Sequence, residues 1–142
     1  MRPNIHTTML DIATTLSERS TCCKLKVGAV LVDNLGRIVG SGYNGVPRDL
    51  PHCTDEPCAG AVAPRGSDLC EAVHAEQNAL ISCHDPEAID IMYCTHMPCM
   101  RCTKMLLNTS CRKMVVRNTE YTEEPALALW VKGGGLLQKE PL

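Results

Sequence analysis

The 142-residue chain is predicted to form one α/β domain, residues 1–142, built as a three-layer α/β/α sandwich on a five-stranded mixed, mostly parallel sheet. Three observations predict it. From residue 74 onward, short β-prone runs alternate with stretches of helical period. Before that point, two apolar runs flank the turn Asp33-Asn34-Leu35-Gly36, as in a hairpin. Hydrophobic residues make up 44% of the chain and charged ones 21%, the balance of a globular domain with an ordinary core.

Met9, Ile12, Ala13 and Leu16 recur at helical steps, so residues 1–20 read as an amphipathic helix. Val27 to Val32 and Arg37 to Gly42 are the hairpin strands. Residues 46–69 are rich in Pro, Gly and acidic side chains and keep no period, so they form a loop. A helix begins close to His74 and runs through Ile81. Ile89 to Thr95 is a strand, Cys99 to Asn108 a helix, and Lys113 to Arg117 a strand. Glu124 to Lys132 is the last helix, and Gly133-Gly134-Gly135 ends it before a short tail strand.

Composition excludes several classes of function. Fourteen basic and sixteen acidic residues leave a net charge of −2, without the basic excess of a protein that grips a polynucleotide. There is no Phe, and only three Tyr and one Trp are available to stack bases, so a small ligand is expected rather than a nucleic-acid polymer. No run is apolar enough to span a membrane, and residues 1–20 lack the layout of a secretion signal, so a cytoplasmic location is expected. In that compartment thiols stay reduced, and the ten cysteines point to metal ligation rather than disulfides.

The chemistry is carried by His74-Ala75-Glu76 and, farther on, Pro98-Cys99-Met100-Arg101-Cys102. One histidine and two cysteines make a three-ligand zinc site with an open fourth position, the catalytic arrangement. Residues two apart on a regular helix face away from each other, so His74 and Glu76 share a site only where the helix starts at or near His74. Cys99 and Cys102 are three apart, on one face of a turn, with Pro98 suited to the helix start. Two helix N-termini therefore meet at the metal, favouring thiolates and leaving N–H groups free for developing negative charge. Glu76, beside the metal but not on it, is placed to move protons. A redox Cys-x-x-Cys pair needs no upstream histidine and glutamate, and a purely structural or non-catalytic zinc module needs no Glu76.

The loop after residue 46 is long enough to need a fastening. Cys22, Cys53, Cys58 and Cys70 are the expected ligands of a second, structural zinc, with His52 as the substitute for one of them. Cys23, Cys83, Cys94 and Cys111 are expected to be structural, His6 and His96 to have no role, and Trp130 to pack or to touch a neighbouring subunit.

The paired motifs have the pattern of zinc-dependent nucleobase deaminases. The chain resembles the cytidine deaminase superfamily and, within it, the bacterial and phage deoxycytidylate (dCMP) deaminases. Arg19-Ser20-Thr21-Cys22 leading into Val27-Gly28-Ala29-Val30, Gly42-Tyr43-Asn44-Gly45-Val46-Pro47, Leu50-Pro51-His52-Cys53 and Val73-His74-Ala75-Glu76-Gln77-Asn78-Ala79 carry the resemblance, with Tyr121 after the fourth strand. It implies hydrolytic deamination of dCMP to dUMP, feeding thymidylate synthesis. Glu76 would protonate N3 and then the departing amine. Asn44 would bind the sugar, Tyr121 would line the pocket, and N–H groups near Ala75 and Cys99 would hold the ring. It also implies a homo-oligomer, with a hexamer favoured, activated by dCTP with Mg²⁺ and inhibited by dTTP through Gly42, Tyr43 and Gly45. Another cytosine or adenine substrate (cytidine, cytosine, a tRNA base) is the alternative. Some relatives carry a basic residue in the helix after the zinc histidine. Here that stretch is Ser82-Cys83-His84-Asp85, so phosphate recognition falls to Lys24, Lys26, Arg48 or Arg117, with His84 a weaker candidate.

Overall fold

The structure is a computed structural model that describes residues 1–141. Asn4 caps the first helix, α1 (Ile5–Ser17), its side-chain oxygen accepting the His6 N–H at 2.8 Å. A hairpin follows, β1 (Gly28–Val32) and β2 (Ile38–Tyr43). Asp33 Oδ1 accepts the Leu35 and Arg37 N–H groups across its turn. The remaining elements are α2 (Ala75–Ser82), a short 3-10 turn at Pro86–Ala88, β3 (Ile91–His96), α3 (Met100–Leu107), β4 (Lys113–Asn118), α4 (Glu124–Lys132) and β5 (Leu136–Lys139). The third strand starts later than the sequence predicts because Asp85 accepts the Glu87 N–H and turns the chain at Pro86.

The sheet order is β2-β1-β3-β4-β5. β1 runs antiparallel to both of its neighbours, and only β3-β4 and β4-β5 are parallel. The sheet is therefore mixed in equal parts rather than mostly parallel. The crossover from β2 through α2 does deliver β3 parallel to β2, but β1 lies between them.

Both faces are covered, unequally. On one, α1 alone packs Met9, Leu10 and Ala13 against Val30, Val32, Tyr93 and Val115. On the other, Ala75 and Ala79 of α2, Leu106 of α3 and Trp130 of α4 pack on Ala29, Leu31, Met92, Cys94, Met114 and Val116. Trp130 is fully buried, and its indole N–H donates to the Leu136 carbonyl at 3.0 Å, which settles it as a packing residue. Cys83, Cys94 and Cys111 lie in the same core. Cys23 departs from expectation and is exposed.

Close approach places α2. A Cβ on Gly42 would stand 2.6 Å from both the Ala75 carbonyl oxygen and the Ala79 nitrogen, so β2 can carry this helix only with glycine there. Arg117 ties β4 to α1, donating to the Leu10 carbonyl at 3.3 Å and to Thr14 Oγ1 at 2.6 Å and pairing with Asp11. Among the described residues, no helix is long and apolar enough to cross a membrane.

Candidate active site

His74 and Cys99 occupy equivalent positions, each the N-cap residue of its helix in extended backbone (φ −71°, ψ 155° and φ −73°, ψ 175°). A cap residue is free of the helical period, so the His74 side chain can share a pocket with that of Glu76 in the first turn of α2. Pro98 stands one residue outside α3 rather than inside its first turn, and it is fully buried. Gln77 Oε1 accepts the His74 N–H at 2.9 Å and fixes the cap. That residue was readable from sequence, because a Gln three positions after an N-cap is the capping-box pattern. Glu123 Oε2 accepts the Met100 N–H at 2.9 Å at the start of α3.

His74 Nδ1 lies 3.5 Å from Cys99 Sγ and 3.3 Å from Cys102 Sγ, and the three ligand atoms all fall within 4.8 Å of one another. With Zn–N near 2.0 Å and Zn–S near 2.3 Å, a tetrahedral site has an N···S edge of about 3.5 Å. The donor set and its spacing fit zinc. Among the described residues it is the only such group of three. The Cys102 thiol donating to Cys99 brings the Cys99 pKa down to about 3, with further lowering from His74, while Cys102 is pushed up by sharing its proton. The hydrogen bond to Cys99 raises the His74 imidazole.

Glu76 is 5% exposed, and this burial raises its carboxyl above the ordinary range. Its own backbone N–H and the neighbouring His74 and Cys102 act the other way. A carboxyl withdrawn from water beside an open metal position can hold and return a proton.

The other expected site residues are distributed as follows. Ala75, fully buried, is the first residue of α2, where N–H groups have no helical partner. Asn44 is buried, and its amide braces a neighbouring loop, Oδ1 accepting from Val27 N at 2.9 Å and Nδ2 donating to Leu25 O at 2.7 Å. One amide hydrogen of Asn44 is left for a ligand. Tyr121 is half-exposed, 6.2 Å from the His96 ring centroid to centroid, and the Arg65 guanidinium lies 4.1 Å above it. Tyr43 O accepts from Asn78 Nδ2 at 2.9 Å, and Gly45 exchanges backbone hydrogen bonds with Val73. The Gly42–Gly45 segment thus lies directly against α2 and against Val73, the residue before His74.

Of the expected phosphate ligands, Arg117 is consumed by α1, and Lys24 Nζ donates to the Ala63 carbonyl. Lys26 and Arg48 are exposed, and His84 lies beyond the far end of α2 from His74. Cys22, Cys53, Cys58 and Cys70 are not gathered into one ligand set. Cys53 Sγ lies 3.3 Å from Cys23, not Cys22, and accepts the Cys58 N–H at 3.4 Å, a bond that lowers its pKa to about 7. Cys22 Sγ instead accepts the Lys24 N–H at 3.5 Å. His52 is exposed and pairs with Asp55.

The sequence profile of the family described as the cytidine and deoxycytidylate deaminase zinc-binding region matches residues 3–118, and so takes in both halves of this site. The chain belongs to that family. Within it, the chain is 37% identical over 122 residues to the deoxycytidylate deaminase of Mycobacterium phage D29, covering 80% of this chain and 94% of the phage protein. It is 29% identical to the deoxycytidylate deaminase of Schizosaccharomyces pombe, with 95% of this chain matched but only 43% of the yeast protein. The chain thus spans less than half the length of that relative. The dCMP deaminase of cyanophage S-TIM5, solved in complex with dCMP and dUMP, superposes with a TM-score of 0.79 at 31% identity, covering 99% of each chain. This deaminase-family fold is the five-stranded mixed sheet described above.

Proposed function

We propose that the chain catalyses the hydrolytic deamination of dCMP to dUMP and ammonia, with zinc held by His74 Nδ1, Cys99 and Cys102. The observation that carries the proposal is the meeting of these three ligands with buried Glu76 at two helix N-termini. Likeness to the phage dCMP deaminases supports the choice of substrate. Zinc, when bound, supplies Lewis acidity that makes hydroxide available at neutral pH. Glu76 takes one proton from the attacking water and delivers it to N3 of cytosine. It then takes the second from the new C4 hydroxyl and passes it to the departing amine, so that C4=O forms as the C4–N bond breaks and ammonia leaves. N–H groups near Ala75 and Cys99, at the two helix starts, offer fixed dipoles to charge that develops on the ring. The spare amide hydrogen of Asn44 faces the sugar, and Tyr121 forms a wall of the nucleotide pocket.

The same reading includes a homo-oligomer, a hexamer, controlled by dCTP with Mg²⁺ and by dTTP at Gly42, Tyr43 and Gly45. The support is mechanical: an effector that shifts this segment presses on α2 and so on His74 and Glu76. Measured ammonia release from dCMP, CMP, deoxycytidine, cytosine and a tRNA stem-loop, with and without dCTP, tests the proposal. dCMP should be the preferred substrate. Release from none of them would end the enzymatic reading, and a preference for deoxycytidine would end the claim for a nucleotide.

A further inference from the structure

Arg65 belongs to the loop between β2 and α2, and it is exposed. Its guanidinium carbon lies over the Tyr121 ring, 4.1 Å from the centroid. Among the described residues none of its N–H groups makes a hydrogen bond, and no carboxylate stands within ion-pair distance. The loop is held on both sides of it. Two residues before, the Ala63 carbonyl accepts from Lys24 Nζ; three residues after, Asp68 pairs with Arg101, which sits between the ligands Cys99 and Cys102. The ring beneath Arg65 neighbours His96, and His96 precedes Cys99 by three residues, a reach of at most about 10 Å.

Both tethers therefore put an uncompensated, planar, five-donor cation beside the turn that carries the metal ligands. Stacking on Tyr121 leaves the donor edge of the guanidinium free and restricts its orientation, the arrangement that suits bidentate capture of a phosphate. The two basic groups that tether this loop are already engaged, Arg101 by Asp68 and Lys24 by a carbonyl. Among the described residues, Arg48 and Lys26 are exposed without an aromatic ring to orient them. We propose that Arg65, stacked on Tyr121, binds the 5′-phosphate of the nucleotide and is the residue by which this site distinguishes a nucleoside monophosphate from a nucleoside. This rests on the dCMP reading above.

The test compares dUMP and deoxyuridine binding by calorimetry in the zinc-loaded chain, alongside dCMP kinetics, for wild type, Arg65→Ala and Arg65→Lys. Loss of a charge-assisted pair should weaken dUMP and raise the KM for dCMP by about 10- to 100-fold, with kcat little changed. Deoxyuridine binding should stay as in wild type. Lysine should restore part of the loss, since it returns the charge without the fork. Equal weakening of dUMP and deoxyuridine would reveal only a structural support for Tyr121, and unchanged dUMP binding would show that Arg65 does not touch the phosphate; either overturns the proposal. Wild-type protein that binds neither ligand and turns over no dCMP would instead remove the underlying function, an outcome visible before any variant is made.

Discussion

Gly42→Ala should damage stability and turnover together, although the residue supplies neither a metal ligand nor an acid–base group. The added Cβ meets the Ala75 carbonyl oxygen and the Ala79 nitrogen at 2.6 Å, whereas ordinary contact begins at 3.4 Å. The deficit of 0.8 Å (3.4 minus 2.6) falls on helix backbone, which cannot rotate away as a side chain can. Either β2 or the first turn of α2 must retreat. Overpacking of this kind costs about 1–3 kcal/mol. For a domain of this size each kcal/mol lowers Tm by roughly 3–5 °C. The same turn carries Glu76 and is capped by His74, so a shift approaching 1 Å should also reduce turnover, on the order of 100-fold. Thermal unfolding of zinc-loaded protein, with steady-state turnover and zinc content measured on the same samples, checks both parts. A variant with the melting temperature and turnover of wild type would refute the close approach of α2 to β2. A lowered Tm with full activity would refute the mechanical link from this strand to the site.

Three further outcomes follow from the same geometry. Glu76→Gln should keep zinc but lose turnover by about 10²- to 10⁴-fold, the contribution of a positioned acid–base group; zinc-loaded variant protein with normal rates would mean that another group moves the proton. Metal analysis should find one zinc per chain, absent from His74→Ala; a count of two, falling to one in that variant, would show that the cysteine-rich loop gathers its thiols after all. Arg117→Ala should lower stability by about 1–3 kcal/mol while leaving the KM for dCMP unchanged, because its hydrogen bonds go to Leu10, Thr14 and Asp11 rather than to a ligand. A KM raised without loss of stability would return Arg117 to the phosphate.

Much of the fold and of the candidate site was legible in local order along the chain. Helical period, strand runs and the Asp33–Gly36 turn depend on near neighbours, and they placed the four helices and the first four strands within a few residues, while the 3-10 turn at Pro86–Ala88 was not foreseen. The requirement that His74 and Glu76 face one pocket forced a helix start at His74, where the structure has an N-cap. Cys99 and Cys102 are joined by one turn, so their convergence needs no long-range information.

What the sequence could not decide was every assignment that depends on which distant segments meet. Arg117 looked like a free cation until α1 was laid across β4. Cys53 found the exposed Cys23 rather than the buried Cys22, because adjacent residues in a loop project differently and only the packed loop determines which thiol meets Cys53. Arg65 carried no signal at all, since a lone arginine in a polar loop is ordinary until Tyr121, from beyond β4, comes to lie beneath it. Composition and short-range spacing thus determined the kind of fold and the metal chemistry, because both are written within single turns of the chain. Tertiary packing decided which charges and thiols are spent within the fold and which remain for a ligand, because loop closure and burial set those partners, and neither has a local signature.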